Sequence, residues 1–229
     1  MSTSTASPST AIAGRREPTG IPGGVLAAIV GPLVLAVCNL AVGLTPGQSD
    51  VEETVDIIRV AGENPTMFQV SSAIGFVAAA LLVPGIWTVA TTLRPRTPWL
   101  ASVGGWMMAT GYIMFCVLGI ESLINLAVAQ GGDPVSFATA IDEHTSPVMF
   151  AVYFVFGLGA LGGGLILGIA MLRQRDAVPA WAGWAMIVSE PVRVIGLLTG
   201  LSVVGPPLAS VLIAVGFAGV LLRRSDALA

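Results

Sequence analysis

Long continuous apolar runs separated by short polar segments dominate this chain. A stretch of about twenty apolar residues crosses the hydrocarbon layer as a helix. Six such runs are present, at roughly 22–44, 68–93, 99–129, 147–172, 179–204 and 205–222. They are unbroken rather than alternating, which predicts helices and not barrel strands. The expected fold is an all-α polytopic membrane bundle of six transmembrane helices, one domain over residues 21–224. Residues 1–20, rich in Ser and Thr, predict a disordered cytoplasmic tail, and 225–229 a second short tail. Arg15-Arg16 is followed by Glu-Pro-Thr instead of an apolar residue, unlike a twin-arginine signal. The 22–44 run is also long for a signal-peptide core, so it reads as a retained first helix.

Two connecting segments carry helical signals of their own. Ser49 and Glu52 stand at capping-box spacing. Val51, Val55 and Ile58 then recur on one helical face, with Asp56 and Arg59 left for solvent, until Gly62 and Asn64-Pro65 stop the helix. This predicts a short amphipathic helix on the membrane surface. Residues 134–143 predict a second. Within the spans, Pro84-Gly85 predicts a bend in the second. The last two spans meet at a tight Gly205-Pro206-Pro207 corner. Gly159/Gly163 and Gly164/Gly168 in the fourth are small-xxx-small pairs suited to close helix packing.

Charge orients this framework. Hydrophobic residues make up 55% of the 229 and charged residues only 10%, against roughly 25% in soluble domains. The mean hydropathy is +0.87. All ten basic residues are Arg, a bias expected of a GC-rich bacterial genome. Arg15-Arg16, Arg94 with Arg96, Arg173 with Arg175, and Arg223-Arg224 all fall on one side of a six-span chain, while the opposite loops hold Arg59 and most of the acidic residues. By the positive-inside rule both termini are cytoplasmic. The expected location is a bacterial cytoplasmic (inner) membrane, multi-pass. The net charge of −3 gives no sign of a nucleic-acid partner.

Ionisable residues inside the apolar runs are the candidate chemistry, because a charge in hydrocarbon persists only with a partner, water or a task. Glu121 lies in the third run. Glu190 and Arg193 lie in the fifth, three residues apart across Pro191. With both termini inside, Glu190 and Arg193 fall near the midplane and Glu121 about two turns further out. Asn125 shares the Glu121 face at i,i+4. Asn39, late in the first span, and Tyr153, in the fourth, join the outer polar set. Thr88, Ser102, Thr110 and Tyr112 are assigned to the inner half. An outward-opening polar cavity would hydrate the outer groups. A Glu121 that reached Arg193 would make two carboxylates share one guanidinium, a proton-relay or acid-catalysis motif.

Other chemistries find little support. His144 is the only histidine, so a bis-histidine haem within one chain is excluded. Cys38 and Cys116 form no CxxC pair and read as buried apolar residues. The methionines form no regular ladder for copper. Trp87, Trp99, Trp106, Trp181 and Trp184 read as an interfacial belt. There is no phosphate-binding loop, zinc-protease helix or nucleophile elbow. No cofactor and no metal are expected.

The segment Gly62-Glu63-Asn64-Pro65, the span after it, the basic turn Arg94-Pro95-Arg96 and the polar third span resemble a family of uncharacterised six-pass bacterial integral membrane proteins. The resemblance covers about half the chain. It implies the fold and brings no catalytic residues.

Three functional readings follow. The first is a small-molecule-binding or transport-related membrane protein, with Arg193, Asn125, Asn39 and Tyr153 as binding residues and a hydrophobic or amphipathic ligand beside membrane lipid. Six helices are few for a transporter, and a homodimer would make up the number. The second is an intramembrane enzyme on a lipid or isoprenoid, with Glu121 or Glu190 as protonated acid. The third is a structural or regulatory subunit whose ion pair sets helix registry.

Overall fold

The computed structural model describes residues 22–226. The tail at 1–20, the Arg15-Arg16 pair and residues 227–229 lie outside the described residues. The elements in order are α1 (Pro22–Gly43), a 3-10 turn (Gln48–Asp50), α2 (Thr54–Glu63), α3 (Pro65–Leu93), α4 (Pro98–Gly131), α5 (Pro134–His144), α6 (Pro147–Gly157), a π-helical turn (Leu158–Gly162), α7 (Gly163–Leu172), α8 (Ala180–Leu198) and α9 (Gly205–Asp226). The segment α6–π–α7 is one continuous span. Six helices are therefore long and apolar enough to cross a membrane, with no strand among the described residues. This is a multi-pass integral membrane protein.

The spans form a closed ring. Each packs on its neighbours in the order α1, α3, α4, α6–π–α7, α8, α9 and back to α1. Across the ring α3 approaches α7 and α9. Large buried side chains, among them Leu82, Ile86, Met108, Leu167, Met186 and Phe217, fill one part of the interior. At the end carrying the arginine turns, Gln174 Nε2 donates to the Leu93 carbonyl (2.8 Å) and to Thr97 Oγ1 (2.6 Å), tying the α7–α8 turn to the α3–α4 turn.

Glycines set the helix spacing. A Cβ on Gly85 would lie 2.6 Å from Ala28 Cα, and one on Gly31 2.9 Å from Leu82 N, so α1 and α3 meet backbone to backbone. The small-residue stripes of the fourth span divide their work as their spacing suggests. Gly159 and Gly163 admit the backbone of α4 at Met107, Met108 and Gly111, while Gly168 admits α8 at Gly183 and Ile187. The α3 helix continues through Pro84, which lacks only the N–H that would donate to the Ala80 carbonyl.

Two expectations are corrected. The fifth span stops at Leu198, six residues before 204. Gly200 takes a left-handed φ of 72°, and the chain turns through 199–204. Apolarity continues through Leu201, Val203 and Val204, but hydropathy does not register a helix stop made by backbone conformation. Gly205-Pro206-Pro207 is accordingly the first turn of α9, where proline gives up only an orphan N–H. The second correction concerns the cap of α2, which is Glu53 paired with Asp56 rather than Ser49 with Glu52. Asp56 accepts the backbone N–H groups of Glu52 and Glu53 and pairs with Arg59, which holds its carboxyl below the usual range.

The amphipathic pattern of α2 is otherwise realised. Ile58, Val60 and Ala61 are buried, and Val60 and Ala61 pack with Phe68 and Leu126 over the ends of α3 and α4. The second short helix, α5, is capped by Asp133, which accepts from Val135 N and Ser136 N. It packs on α2, and Thr54 Oγ1 donates to Asp142 at 2.6 Å. The two form a lid over the end of the bundle opposite the arginine turns.

Gly85→Val should separate α1 from α3. The expected loss is about 1–3 kcal/mol, read as a lower midpoint in detergent-to-SDS unfolding. An unchanged midpoint would contradict the backbone contact.

Candidate functional site

Glu190, Pro191 and Arg193 lie on α8, and the shorter helix moves Arg193 toward the lid end instead of the middle. Glu190 is 2% exposed. At i,i+3 the two charged side chains share a face, and Arg193 Nε donates to Glu190 Oε2 at 3.4 Å. The other carboxylate oxygen lies in a notch on α7, where a Cβ on Gly164 would stand 3.0 Å away. Ser189 Oγ is 3.5 Å from that oxygen, but its 2.7 Å bond to the Met186 carbonyl takes its proton.

The pair extends into a network across three helices. Arg193 Nη2 donates to Ser210 Oγ on α9 at 3.5 Å. Ser210 donates to the Pro206 carbonyl and accepts from Asn39 Nδ2 on α1 at 3.0 Å. Asn39 Nδ2 also reaches the Pro206 carbonyl at 3.3 Å. Ser210 and Gln174 are polar links between elements that the pattern of charges does not reveal. Ser210 sits in an apolar helix with no charged neighbour, and Gln174 reads as an ordinary turn residue between two arginines.

Glu121 does not join this network. It accepts the phenolic proton of Tyr153 on α6, and Arg193 has its ion pair with Glu190. The cause is ring order: α4 neighbours α3 and the fourth span, whereas α8 neighbours α7 and α9. The shared-guanidinium arrangement is therefore absent. Asn125, one helical turn beyond Glu121, is buried and its Oδ1 has no hydrogen-bond partner among the described residues.

Beside the network lies a chamber of about 230 Å³ inside the ring. Leu35, Phe115, Phe156, Ala160 and Leu197 give it an apolar wall; Asn39, Tyr112, Arg193 and Ser202 supply polar groups. Glu121 and Glu190 do not line it. Tyr112, assigned to the inner half from sequence, stands in this wall. It is 2% exposed, and its hydroxyl makes no hydrogen bond to a described residue. A second chamber of about 230 Å³ adjoins it between α1, α3 and α4, lined by Cys38, Ser71, Ser72 and Ser122 among others. Asn39, Val42 and Phe115 border both chambers. Phe115 is held between Tyr112 (6.4 Å, edge-on) and Phe156 (5.7 Å). No group of three or more His, Cys, Asp or Glu among the described residues could hold a metal ion.

Comparison of the chain with protein-family models, curated proteins and solved structures finds no match in any of the three.

Removing one partner of a buried pair strands a charge and typically costs about 3–5 kcal/mol, whereas replacing both with matched apolar residues is close to neutral. Glu190→Leu should therefore lower the SDS midpoint sharply, and Glu190→Leu with Arg193→Met should recover most of the loss. A double variant no more stable than Glu190→Leu would contradict the Glu190–Arg193 pairing.

Proposed function

We propose that this membrane protein binds a small amphipathic molecule in the chamber beside Arg193, as a binding or transport-related component. One observation carries the reading: an apolar cavity inside the ring has a guanidinium, an amide and a phenol in its wall. An apolar cavity with a few convergent polar groups is the usual form of a small-molecule site. The carboxylates that acid catalysis would need are outside that wall, which favours binding over chemistry. A pair serving registry alone would not need the adjoining space. The arginine distribution supports an orientation with both termini in the cytoplasm and the chamber half and α2–α5 lid toward the outer face. Asn39 and Arg193 serve as binding residues. Tyr153, which donates to Glu121, and Asn125 do not line the chamber and are not part of this site.

Gly157 provides the test. It lines the chamber, and a Cβ there meets nothing within 4 Å. Gly157→Phe should fill the space without displacing a neighbour. In lipid nanodiscs, a photoactivatable decanol should label chamber residues of the unmodified protein, and Gly157→Phe should abolish the labelling while leaving the SDS midpoint unchanged. Equal labelling of both proteins would sink the proposal.

A further inference from the structure

The chamber has a wall that the ring does not close. Phe156 and Gly157 of α6 and Val194 and Leu197 of α8 all line it. Yet the α6 backbone lies against α4 and the π-turn, and the α8 backbone against α7 and α9, while the backbones of α6 and α8 are not close neighbours. The fourth and fifth spans touch through α7, nearer the arginine end, and part beyond the π-turn. No residue of α6 is buried. Val194 and Leu197 line the chamber and are themselves 37% and 58% exposed, so this wall is not sealed by packing. Both belong to an apolar spanning helix, whose outward side meets hydrocarbon.

The polar wall selects a head group by hydrogen-bond count. A guanidinium has five N–H donors; Arg193 uses Nε on Glu190 and Nη2 on Ser210. Among the described residues the Tyr112 hydroxyl has no hydrogen-bond partner, and Asn39, whose Nδ2 is committed to α9, has none on Oδ1. The wall thus offers donors from Arg193 and Tyr112 and an acceptor from Asn39. A hydroxyl both donates and accepts and matches this set. A carboxylate cannot donate to Asn39, and it would leave an uncompensated negative charge because Glu190 already neutralises Arg193. An ammonium cannot accept from either donor.

We infer that the gap between α6 and α8 is a lateral portal through which a membrane-dissolved neutral lipid alcohol enters the chamber and seats its hydroxyl among Arg193, Tyr112 and Asn39. The inference rests on the binding role proposed above and adds the ligand class and the route. The lid end is the alternative route. There α2 and α5 are joined by the Thr54–Asp142 bond, and Asn64 Nδ2 donates to the Pro46 carbonyl across the loop after α1.

The experiment uses the full chain in phosphatidylcholine nanodiscs, with photoactivatable decanol as the probe. Cysteines placed at Thr54 and Asp142 are bridged with a bismaleimide to staple the lid. The expected result is labelling on the 154–161 and 194–197 segments, at the same rate with and without the staple. Unlabelled decanol should compete at least about tenfold better than decanoate or decylammonium, the worth of roughly one well-matched hydrogen bond. Labelling stopped by the staple would overturn the lateral route and leave the binding role standing. Decanoate competing as well as decanol would overturn the alcohol assignment alone. Labelling insensitive to Gly157→Phe would overturn the binding role itself, and with it this inference. A photoreactive residue at Phe154 that crosslinks to a second copy instead of lipid would show the gap to be a subunit interface and overturn the portal.

Discussion

A guanidinium that cannot lose its charge is held within an apolar ring, and the lid half of the bundle is arranged around that fact. Arg193 is kept by Glu190 on its own helix, by Ser210 on α9 and, through Ser210, by Asn39 on α1. In hydrocarbon each of these groups must be satisfied internally. The network therefore joins three consecutive members of the ring, α8, α9 and α1, by polar bonds at the level where apolar packing gives way to a chamber. Gly164 contributes by having no side chain, since the Glu190 carboxylate occupies the space a Cβ would need.

The rest of the ring is built on close approach. Gly31 and Gly85 bring α1 against α3, Gly159 and Gly163 bring the fourth span against α4, and Gly168 with Gly183 brings it against α8. Membrane helices gain little from hydrophobic association with one another, so backbone proximity and dispersion carry their packing. These glycines hold the ring closed along most of its contacts. Beyond the π-turn the fourth span leaves α8, and the interior contains space in place of side chains. π-Turns within α-helices occur frequently at functional sites, and here the turn itself supplies Ala160 and Leu161 to the chamber wall.

Much of this was legible in the residues. Six apolar runs give six spanning helices, and the Val55/Ile58 periodicity gives α2. Glu190 and Arg193 pair because i,i+3 on a helix determines their proximity. What required the fold was ring order. Nothing in the spacing of Glu121 and Arg193 says that their helices are not neighbours, so Tyr153 rather than Arg193 receives Glu121. Ser210 is equally silent, a small hydroxyl in an apolar helix whose role comes from α9 lying between α8 and α1. The end of α8 was obscured because hydropathy continues through a turn that depends on the φ of Gly200. The α2 cap lay close to the expected place but uses Glu53, an unusual capping residue.

The central claim is that the lid half of the ring holds a chamber, open between α6 and α8, with a polar wall centred on Arg193. An experimental density map of the protein in lipid nanodiscs tests it most directly. The expected map shows α6 and α8 parted beyond the π-turn, with elongated density reaching from the gap to Arg193, Tyr112 and Asn39. A map with α6 packed against α8 and the space between Phe156 and Arg193 closed by side chains would contradict it.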